Sequence, residues 1–347
     1  MRRLAAVVGA VAMVVLAVAV RARLDGEQRG TDASPAVLVC SSELADVCRA
    51  LDAAHDDVTV RIEDAAVTQA ALTAEGASAD ALGIDAWLAP APMADMVRTE
   101  RDLQSLEALL GPSGPVLART PTVMLVWGDR LGTLEQHCGG EVTWACVADA
   151  ADKPWSDIGG EAGWGDVKVG FSGIGTADGM LNVAAAAGSL VGRTDFASND
   201  FGDLGFQERL GDLARSSARS TPTGASPIQE LLTKGPAAIQ IAAGLEADAV
   251  PAVRAGARGD RVQVRSPDPV VTADAVATPI LGAPGAERLD AILSGDELAE
   301  LLASDGWRVD GQPTAPGIPT DQPLPDSANT PSGGVLLALR RTWTEVS

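Results

Sequence analysis

Short apolar segments alternate along this chain with segments of helical pattern, and this alternation limits the possible folds more than any other feature. In the first series, strands are predicted at 36–40, 58–62 and 85–89. Helices are predicted after each of them, at about 43–54, 67–74 and 93–99. Repeated strand–helix–strand units place parallel strands side by side and cover the sheet with helices. An α/β fold is therefore expected.

A second series of the same kind begins near residue 120. Its strands are predicted at 122–127, 167–171 and 237–242, and its helices at 128–136, 180–190 and 228–232. Two similar α/β units joined by crossover strands predict two lobes with a cleft between them. The expected division assigns 35–119 and 267–310 to lobe I and 120–266 to lobe II.

The N-terminal segment indicates export. Arg2 and Arg3 precede an unbroken apolar run at 4–20, long enough at ~1.5 Å per residue to approach the span of a bilayer. Its short length favours a cleaved signal peptide, whereas the arginines just after it favour a retained anchor. Residues 1–34 are therefore expected to be a signal peptide or anchor plus a spacer. The rest is placed outside the cytoplasm, on the membrane or secreted.

Charge excludes one class of partner. The 347 residues include 47 acidic and 26 basic side chains, so the formal net charge is −21. Nucleic-acid affinity depends mainly on Lys and Arg that neutralise phosphates. No nucleic-acid partner is expected.

The four cysteines form two pairs of equal spacing, Cys40 with Cys48 and Cys138 with Cys146. An even number in an exported chain indicates disulfides, although four cysteines allow three connectivities. Small buried thiols left reduced are the alternative. The equal spacing favours two local bridges.

The C-terminal part, 311–347, begins with a proline-rich stretch expected to be extended. A helix follows at 335–346, with Val335, Leu336, Leu339 and Trp343 on one face. Two interpretations remain, a helix docked on the protein body and a helix that binds a partner; docking is favoured.

Four segments in order carry a resemblance to a known family: 37–42, 85–88, 117–125 and 169–188. Later segments at 228–239 and 264–271 continue it, as does Gly306-Trp307-Arg308. The series resembles type II periplasmic solute-binding proteins, with the molybdate- and sulfate-binding proteins nearest in pattern. The proline-rich tail and last helix are also similar to the region that joins such a domain to a von Willebrand factor type A domain in bacterial surface proteins.

This resemblance implies a two-lobed type II periplasmic-binding-protein-like fold, each lobe a mainly parallel sheet flanked by helices. It also implies a solute held between the lobes by helix N-termini, which suit an oxyanion. The ligand-binding positions that it implies are Ser41, Ser42, Ala91, Thr120, Thr176, Ala177, Asp178 and Glu246. Helix capping is the alternative role for the two serines and for Thr176.

Two departures from the family pattern leave the solute open. The family often places an aromatic residue near the last strand of the second lobe, where this chain has Ala242-Ala243-Gly244-Leu245. Asp178 and Glu246 would also repel an anion. A cationic or zwitterionic solute, or none, is compatible with the sequence.

Enzymatic chemistry has little support. Gly173, Gly175 and Gly179 resemble a dinucleotide-binding loop, but they also fit a turn that lets a helix begin at the cleft. His55 and His137 are not placed beside a nucleophile. No catalytic activity, cofactor or metal site is expected.

The sequence therefore predicts an extracytoplasmic, membrane-tethered binding protein that closes on a small solute. Hinges are expected at 117–121 and 266–269. Delivery of the solute to an ABC permease would follow. The alternative is a binding-fold domain without a solute, acting as a surface interaction or sensory module.

Overall fold

The computed structural model describes residues 34–319, 323–324 and 330–347. The predicted membrane segment at 4–20 and parts of the proline-rich tail lie outside these residues. The described strands are β1 (Ala36–Ser41), β2 (Val58–Glu63), β3 (Ala86–Pro90), β4 (Ala118–Trp127), β5 (Val169–Gly170), β6 (Ile241–Leu245), β7 (Val262–Arg265) and β8 (Thr272–Pro279).

Helices follow most of these strands. The described α-helices are α1 (Ala45–Ala54), α2 (Ala65–Thr73), α3 (Ala79–Leu82), α4 (Ala91–Leu103), α5 (Gly128–Cys138), α6 (Trp144–Ala150), α7 (Ala177–Val191), α8 (Leu204–Ser220), α9 (Pro227–Lys234), α10 (Glu246–Ala255), α11 (Ala286–Leu293), α12 (Asp296–Ser304) and α13 (Gly333–Val346). Short 3₁₀ helices lie at Ser42–Leu44, Trp155–Ile158, Ala162–Trp164, Ser198–Gly202 and Gly259–Arg261.

The strands are hydrogen-bonded in one continuous order, β2-β1-β3-β8-β4-β6-β5, with β7 paired to β4, and the first lobe contributes β2-β1-β3-β8. Strand β1 is parallel to β2 and β3, so that Cys40 lies opposite both Ile62 and Leu88, and β8 is antiparallel to β3. Strand β3 is buried along its whole length, as expected for a strand covered on both faces. The parallel pairing places the carboxyl ends of β1 and β2 at one edge, with Ser41 opposite Glu63.

Strand β4 belongs to both lobes. Its first part, Ala118–Pro121, pairs with β8, and from Thr122 onward it pairs with β6. Pro121 has no N–H to donate, and it stands where the pairing changes. The chain passes between the lobes here and again between β7 and β8. The predicted lobe boundaries remain predictions, but both crossings lie close to them.

The sheet of the second lobe is mixed. Strands β6 and β7 run antiparallel to β4 on its two sides, and β6 is parallel to the short strand β5. The strand predicted at 237–242 begins later, at Ile241. The amides of Ala238 and Ile239 bond back to the Gly235 carbonyl, so the chain completes a turn after α9 before it extends.

Both predicted disulfides are present. Cys40 at the end of β1 is bonded to Cys48 in α1, and Cys138 at the end of α5 is bonded to Cys146 in α6. Each bridge therefore joins an element to the helix that comes next, inside one lobe. Cys40 and Cys48 are fully buried, so the first bridge also fills part of the core.

Helix α13 packs on both lobes. It contacts α4 of the first lobe and α8 of the second. Leu339 is fully buried, and the ring of Trp343 lies 5.3 Å from that of Phe171. Of the two interpretations of this helix, docking on the body is the one that the structure shows. Among the residues that the structure describes, no helix has the length and apolar composition to cross a membrane.

Candidate ligand-binding cleft

A cavity of about 550 Å³ opens between the two lobes. On one side it is bounded by residues that follow β1 and β2, and on the other by the loop before α7 and the start of α9. Ligands of α/β proteins bind at this kind of place, beyond the carboxyl ends of parallel strands. The lining residues are Ser42, Glu43, Asp64, Ser172, Gly173, Gly175, Thr176, Asp178, Thr223, Gly224, Ala225, Ser226, Ile228, Gln229 and Asp248.

A larger cavity, about 710 Å³, lies elsewhere on the molecule. It is bounded by the loop around Arg193 and by the peptide Asp268–Pro269. None of the predicted ligand-binding residues lines it. The inter-lobe cavity is therefore the better candidate for the functional site.

The start of α7 forms one wall of the cleft. Thr176 caps this helix: its Oγ1 accepts a hydrogen bond from the Gly179 amide at 2.9 Å and donates one to the Gly173 carbonyl at 2.9 Å. A Cβ at Gly179 would lie 2.1 Å from the Gly173 oxygen, so the loop can fold this tightly only with glycine there. The glycines are thus explained by a turn into a helix rather than by a dinucleotide site.

Glu43 reaches across the cleft to this helix. It lies in the 3₁₀ helix after β1, and its Oε1 accepts a hydrogen bond from the Asp178 amide at 2.9 Å. Burial raises the pKa of the Glu43 carboxyl, while the amides of Asp178, Glu43 itself and Ala177 act against that rise. The carboxylate of one lobe is therefore placed at a helix N-terminus of the other.

Asp178 has a carboxyl that is hydrogen-bonded within its own lobe. Ser172 Oγ donates to Oδ2, and Asn182 Nδ2 donates to Oδ1 at 2.6 Å. Burial raises the pKa of Asp178 from 3.8 to about 7; the Ser172 hydrogen bond lowers it and the charge of Glu43 raises it further. Near neutral pH this group therefore changes its charge inside the cleft.

The raised pKa of Asp178 predicts a pH-dependent stability. Because the folded protein keeps a proton that the unfolded chain releases, the stability from this group is complete at low pH and falls as pH rises from about 4 to about 7. The slope from one such group is at most about 1.4 kcal/mol per pH unit. The variant Asp178→Asn stays neutral, so it should show a shallower slope and exceed the wild type in stability above pH 7.

Urea unfolding followed by circular dichroism between about pH 4 and pH 8 measures both slopes. Glu43 has a raised pKa too, so the variant should retain part of the slope. Identical slopes in the two proteins would contradict the assigned titration.

The cleft is acidic. Its lining contains Glu43, Asp64, Asp178 and Asp248 and, among the described residues, neither Lys, Arg nor His. Asp248 also lines the cavity; desolvation by the surrounding protein raises its pKa well above the usual range, and the charges of Asp178 and Glu43 add to that rise. Asp305 has its pKa raised to about 6 by burial and by the charge of Asp46. Four carboxyl groups thus line the cavity where a solute would lie, and the pKa values of three of them, Glu43, Asp178 and Asp248, are raised.

Three of the predicted ligand-binding residues line the cavity: Ser42, Thr176 and Asp178. Ser41 lies just behind it, and its Oγ is buried without a hydrogen-bond partner. Ala177 is fully buried in the first turn of α7. Ala91, at the start of α4, is not among the residues that line the cavity.

Thr120 and Glu246 have structural partners instead. Thr120 Oγ1 accepts a hydrogen bond from the Ala247 amide at 2.9 Å and so supports the start of α10. Glu246 is only 2% exposed and forms a double hydrogen bond with Arg308, at 2.7 and 2.8 Å. Neither residue lines the cavity.

Several lining residues were missed by the sequence analysis. Asp64 follows β2 just as Ser42 follows β1, and equivalent positions after parallel strands are a usable signal. The Ser226-Pro227 pair marks the start of α9, with Ser226 as its N-cap. Glu43 and Asp248 offered no such signal, because their approach to the cleft depends on contacts between distant segments.

Two α/β lobes joined by crossing strands, with a cleft between them, form the fold of type II periplasmic solute-binding proteins. Comparison with protein-family profiles and with curated proteins gives no match. Comparison with solved structures gives many matches, and the three described below are distant in sequence.

A periplasmic thiamin binding protein is 13% identical, with 90% of this chain and 96% of that one covered and a TM-score of 0.60. The apo ferric ion-binding protein A of Pasteurella haemolytica is 12% identical, with coverage of 90% and 98% and a TM-score of 0.59. The Trichodesmium protein IdiA (FutA), in complex with iron and citrate, is 14% identical, with coverage of 90% and 99% and a TM-score of 0.57. At such identities the likeness establishes the fold.

Two of these neighbours are described as binding proteins, and the third is in complex with iron and citrate. Within the described residues, no group of three or more His, Cys, Asp or Glu side chains could hold a metal ion.

Proposed function

We propose that this protein is an extracytoplasmic solute-binding protein whose cleft takes a positively charged small molecule. The observation that carries the proposal is the cavity of about 550 Å³ lined by four carboxyl groups and, among described residues, by no basic side chain. In a cleft partly screened from water, opposite charges attract more strongly than in bulk solvent, and an anion is repelled. A cationic organic solute satisfies this lining best.

The charge argues against the oxyanion that the finer resemblance to molybdate- and sulfate-binding proteins implied. Free amides at the start of α7 would favour an anion, but side chains of this protein already occupy them. The similarity to a domain that precedes von Willebrand factor type A domains remains a prediction.

In the proposed mechanism the protein is exported and is held at the membrane by residues 4–20 or released after their cleavage. The lobes 35–119 with 267–310, and 120–266, close on the solute by hinge motion at 117–121 and 266–269. The solute then passes to an ABC permease. One of the matching structures is described as the substrate binding protein of an ABC transporter from Agrobacterium tumefaciens, which supports this route.

The second candidate is a binding-fold module that acts on a surface or sensory partner without a solute. Its supporting observation is that the two lobes are already joined, through Glu43 across the cleft and through α13 on both lobes. A module of this kind needs no cationic cargo, so the two candidates differ in one measurable property.

That property is the response to small ligands. We expect thiamine, choline or spermidine to raise the melting temperature of the full chain near pH 8, where the cleft carboxyls carry most charge. A ligand at 100 times its Kd adds about 2.7 kcal/mol to the stability, a shift of several degrees. Sulfate, molybdate and glutamate should give no shift.

The variant Asp64→Asn/Asp248→Asn removes two charges from the lining and should weaken the cation response. Arg209→Met, whose partner Asp149 lies on the surface, is the matched control and should keep the response. A panel without any shift would favour the interaction module, and a response to sulfate alone would contradict the proposed cation preference.

A further inference from the structure

Two hydrogen bonds cross the cleft directly. The Asp178 amide donates to Glu43 Oε1 at 2.9 Å, and the Ala66 amide of α2 donates to the Gly175 carbonyl at 2.8 Å. In each bond one partner lies after a strand of the first lobe and the other lies at the entrance to α7. The lobes are therefore in contact at the cleft, and this contact is made by the protein's own groups.

The position of Glu43 is chemically specific. The first amides of a helix have no partner within the helix and attract negative charge. In α7, the Asp178 amide donates to Glu43 and the Gly179 amide donates to Thr176 Oγ1. The Ala177 amide also faces the Glu43 carboxylate. The polar groups that could hold an anion are thus taken by side chains of the chain.

The contact between Glu43 and the start of α7 can also be broken. The second carboxylate oxygen, Glu43 Oε2, is shut off from solvent and has no hydrogen-bond partner. A buried polar oxygen without a partner is unfavourable, and separation of the lobes would expose it to water. The contact therefore stabilises the closed state only in part, as expected of a contact that opens.

We propose that Glu43 is an internal latch that holds the two lobes together and denies the start of α7 to anions. The proposal rests on the proposed function only in requiring lobes that can move; it does not depend on which solute binds. The two roles of Glu43 depend on different properties of its side chain. The length of the side chain lets it reach the other lobe and close the cleft, and its charge determines which ions can bind at the start of α7.

The amide of Ala66 reports closure independently. Its acceptor lies in the other lobe, and Glu43 does not touch it. Hydrogen–deuterium exchange at this amide, measured on the full chain without added solute, therefore follows the opening of the cleft. Slow exchange is expected in the wild type.

Three substitutions of Glu43 distinguish the effect of side-chain length from the effect of charge. Glu43→Asp keeps the charge but is shorter by one methylene, and Glu43→Ala removes the carboxylate; both should speed exchange at Ala66 by about tenfold, the change expected when the hydrogen bond across the cleft is lost. Glu43→Gln keeps the length and an acceptor oxygen and should retain the protection. Asp248→Ala removes a cleft charge without removing a bond across the cleft, and should also retain it.

Formate or sulfate should restore protection of Ala66 in Glu43→Ala and have no effect on the wild type. If exchange at Ala66 is the same in the wild type, Glu43→Asp and Glu43→Ala, the latch is disproved. If Glu43→Ala does not fold, comparison of the exchange rate at Ala66 in Glu43→Asp and Glu43→Gln still tests the latch. Solute binding is measured separately by the thermal shifts of the wild type, so failure of the latch and failure of the proposed function give different results.

Discussion

Replacing Arg308 by methionine is expected to lower the free energy of unfolding by about 3–5 kcal/mol, since it leaves a buried carboxylate without its partner. Glu246 is 2% exposed, and its two oxygens accept hydrogen bonds from Arg308 at 2.7 and 2.8 Å. Methionine fills much of the volume of arginine but donates no hydrogen bond. The cost is therefore that of an uncompensated charge at the first residue of α10.

Urea unfolding near pH 7 measures this loss. The control is Arg209→Met, which breaks a surface pair with Asp149 whose side chains are 32% and 52% exposed. Exposed pairs contribute only about 0–1 kcal/mol. The double variant Glu246→Met/Arg308→Met should regain much of the stability, because it removes both charges. A small loss in Arg308→Met, similar to that of the control, would contradict a buried and unscreened pair.

Truncating Trp343 to alanine is expected to cost about 3–5 kcal/mol, the usual loss when a buried tryptophan is removed. The side chain is 8% exposed, and it meets Phe171 edge to face with ring centres 5.3 Å apart. Its helix, α13, also packs on the first lobe. The substitution should therefore weaken the connection between the lobes as well as the local packing.

Thr344→Ala is the matched control for Trp343→Ala. It lies next to Trp343 on the same helix but is exposed, and exposed substitutions usually stay within about 0.5 kcal/mol. Near-UV circular dichroism during urea unfolding follows both variants. If Trp343→Ala loses no more than Thr344→Ala, the helix does not dock in solution, and binding to a partner becomes the better interpretation of it.

Much of the fold could be predicted from local patterns. The strands predicted at 36–40, 58–62 and 85–89 are present as β1, β2 and β3, and both disulfides join cysteines of equal spacing. Strand and helix periodicity and short covalent loops depend on neighbours in the chain, so they can be recognised without a structure. The start of β6 was predicted less accurately, because the first apolar residues of that segment form a turn after α9.

The predicted ligand-binding residues remain predictions, and those that line the candidate cavity carry a local feature in the sequence. Ser42, Thr176 and Asp178 line the cleft because they stand at helix starts, which the sequence marks by capping residues and glycine. Thr120 and Glu246 were expected there as well. The structure instead places them against the Ala247 amide and Arg308, partners that no local pattern indicates.

The sequence by itself therefore determined the two α/β series, the two short disulfide loops and the excess of negative charge, because each depends on composition or on nearby residues. Only the tertiary structure decided which charges meet. Glu43 and Asp178 are 135 residues apart, and Glu246 and Arg308 are 62 apart. Such pairs form only when the crossing strands bring the lobes together, so the character of the cleft depends on the fold as a whole.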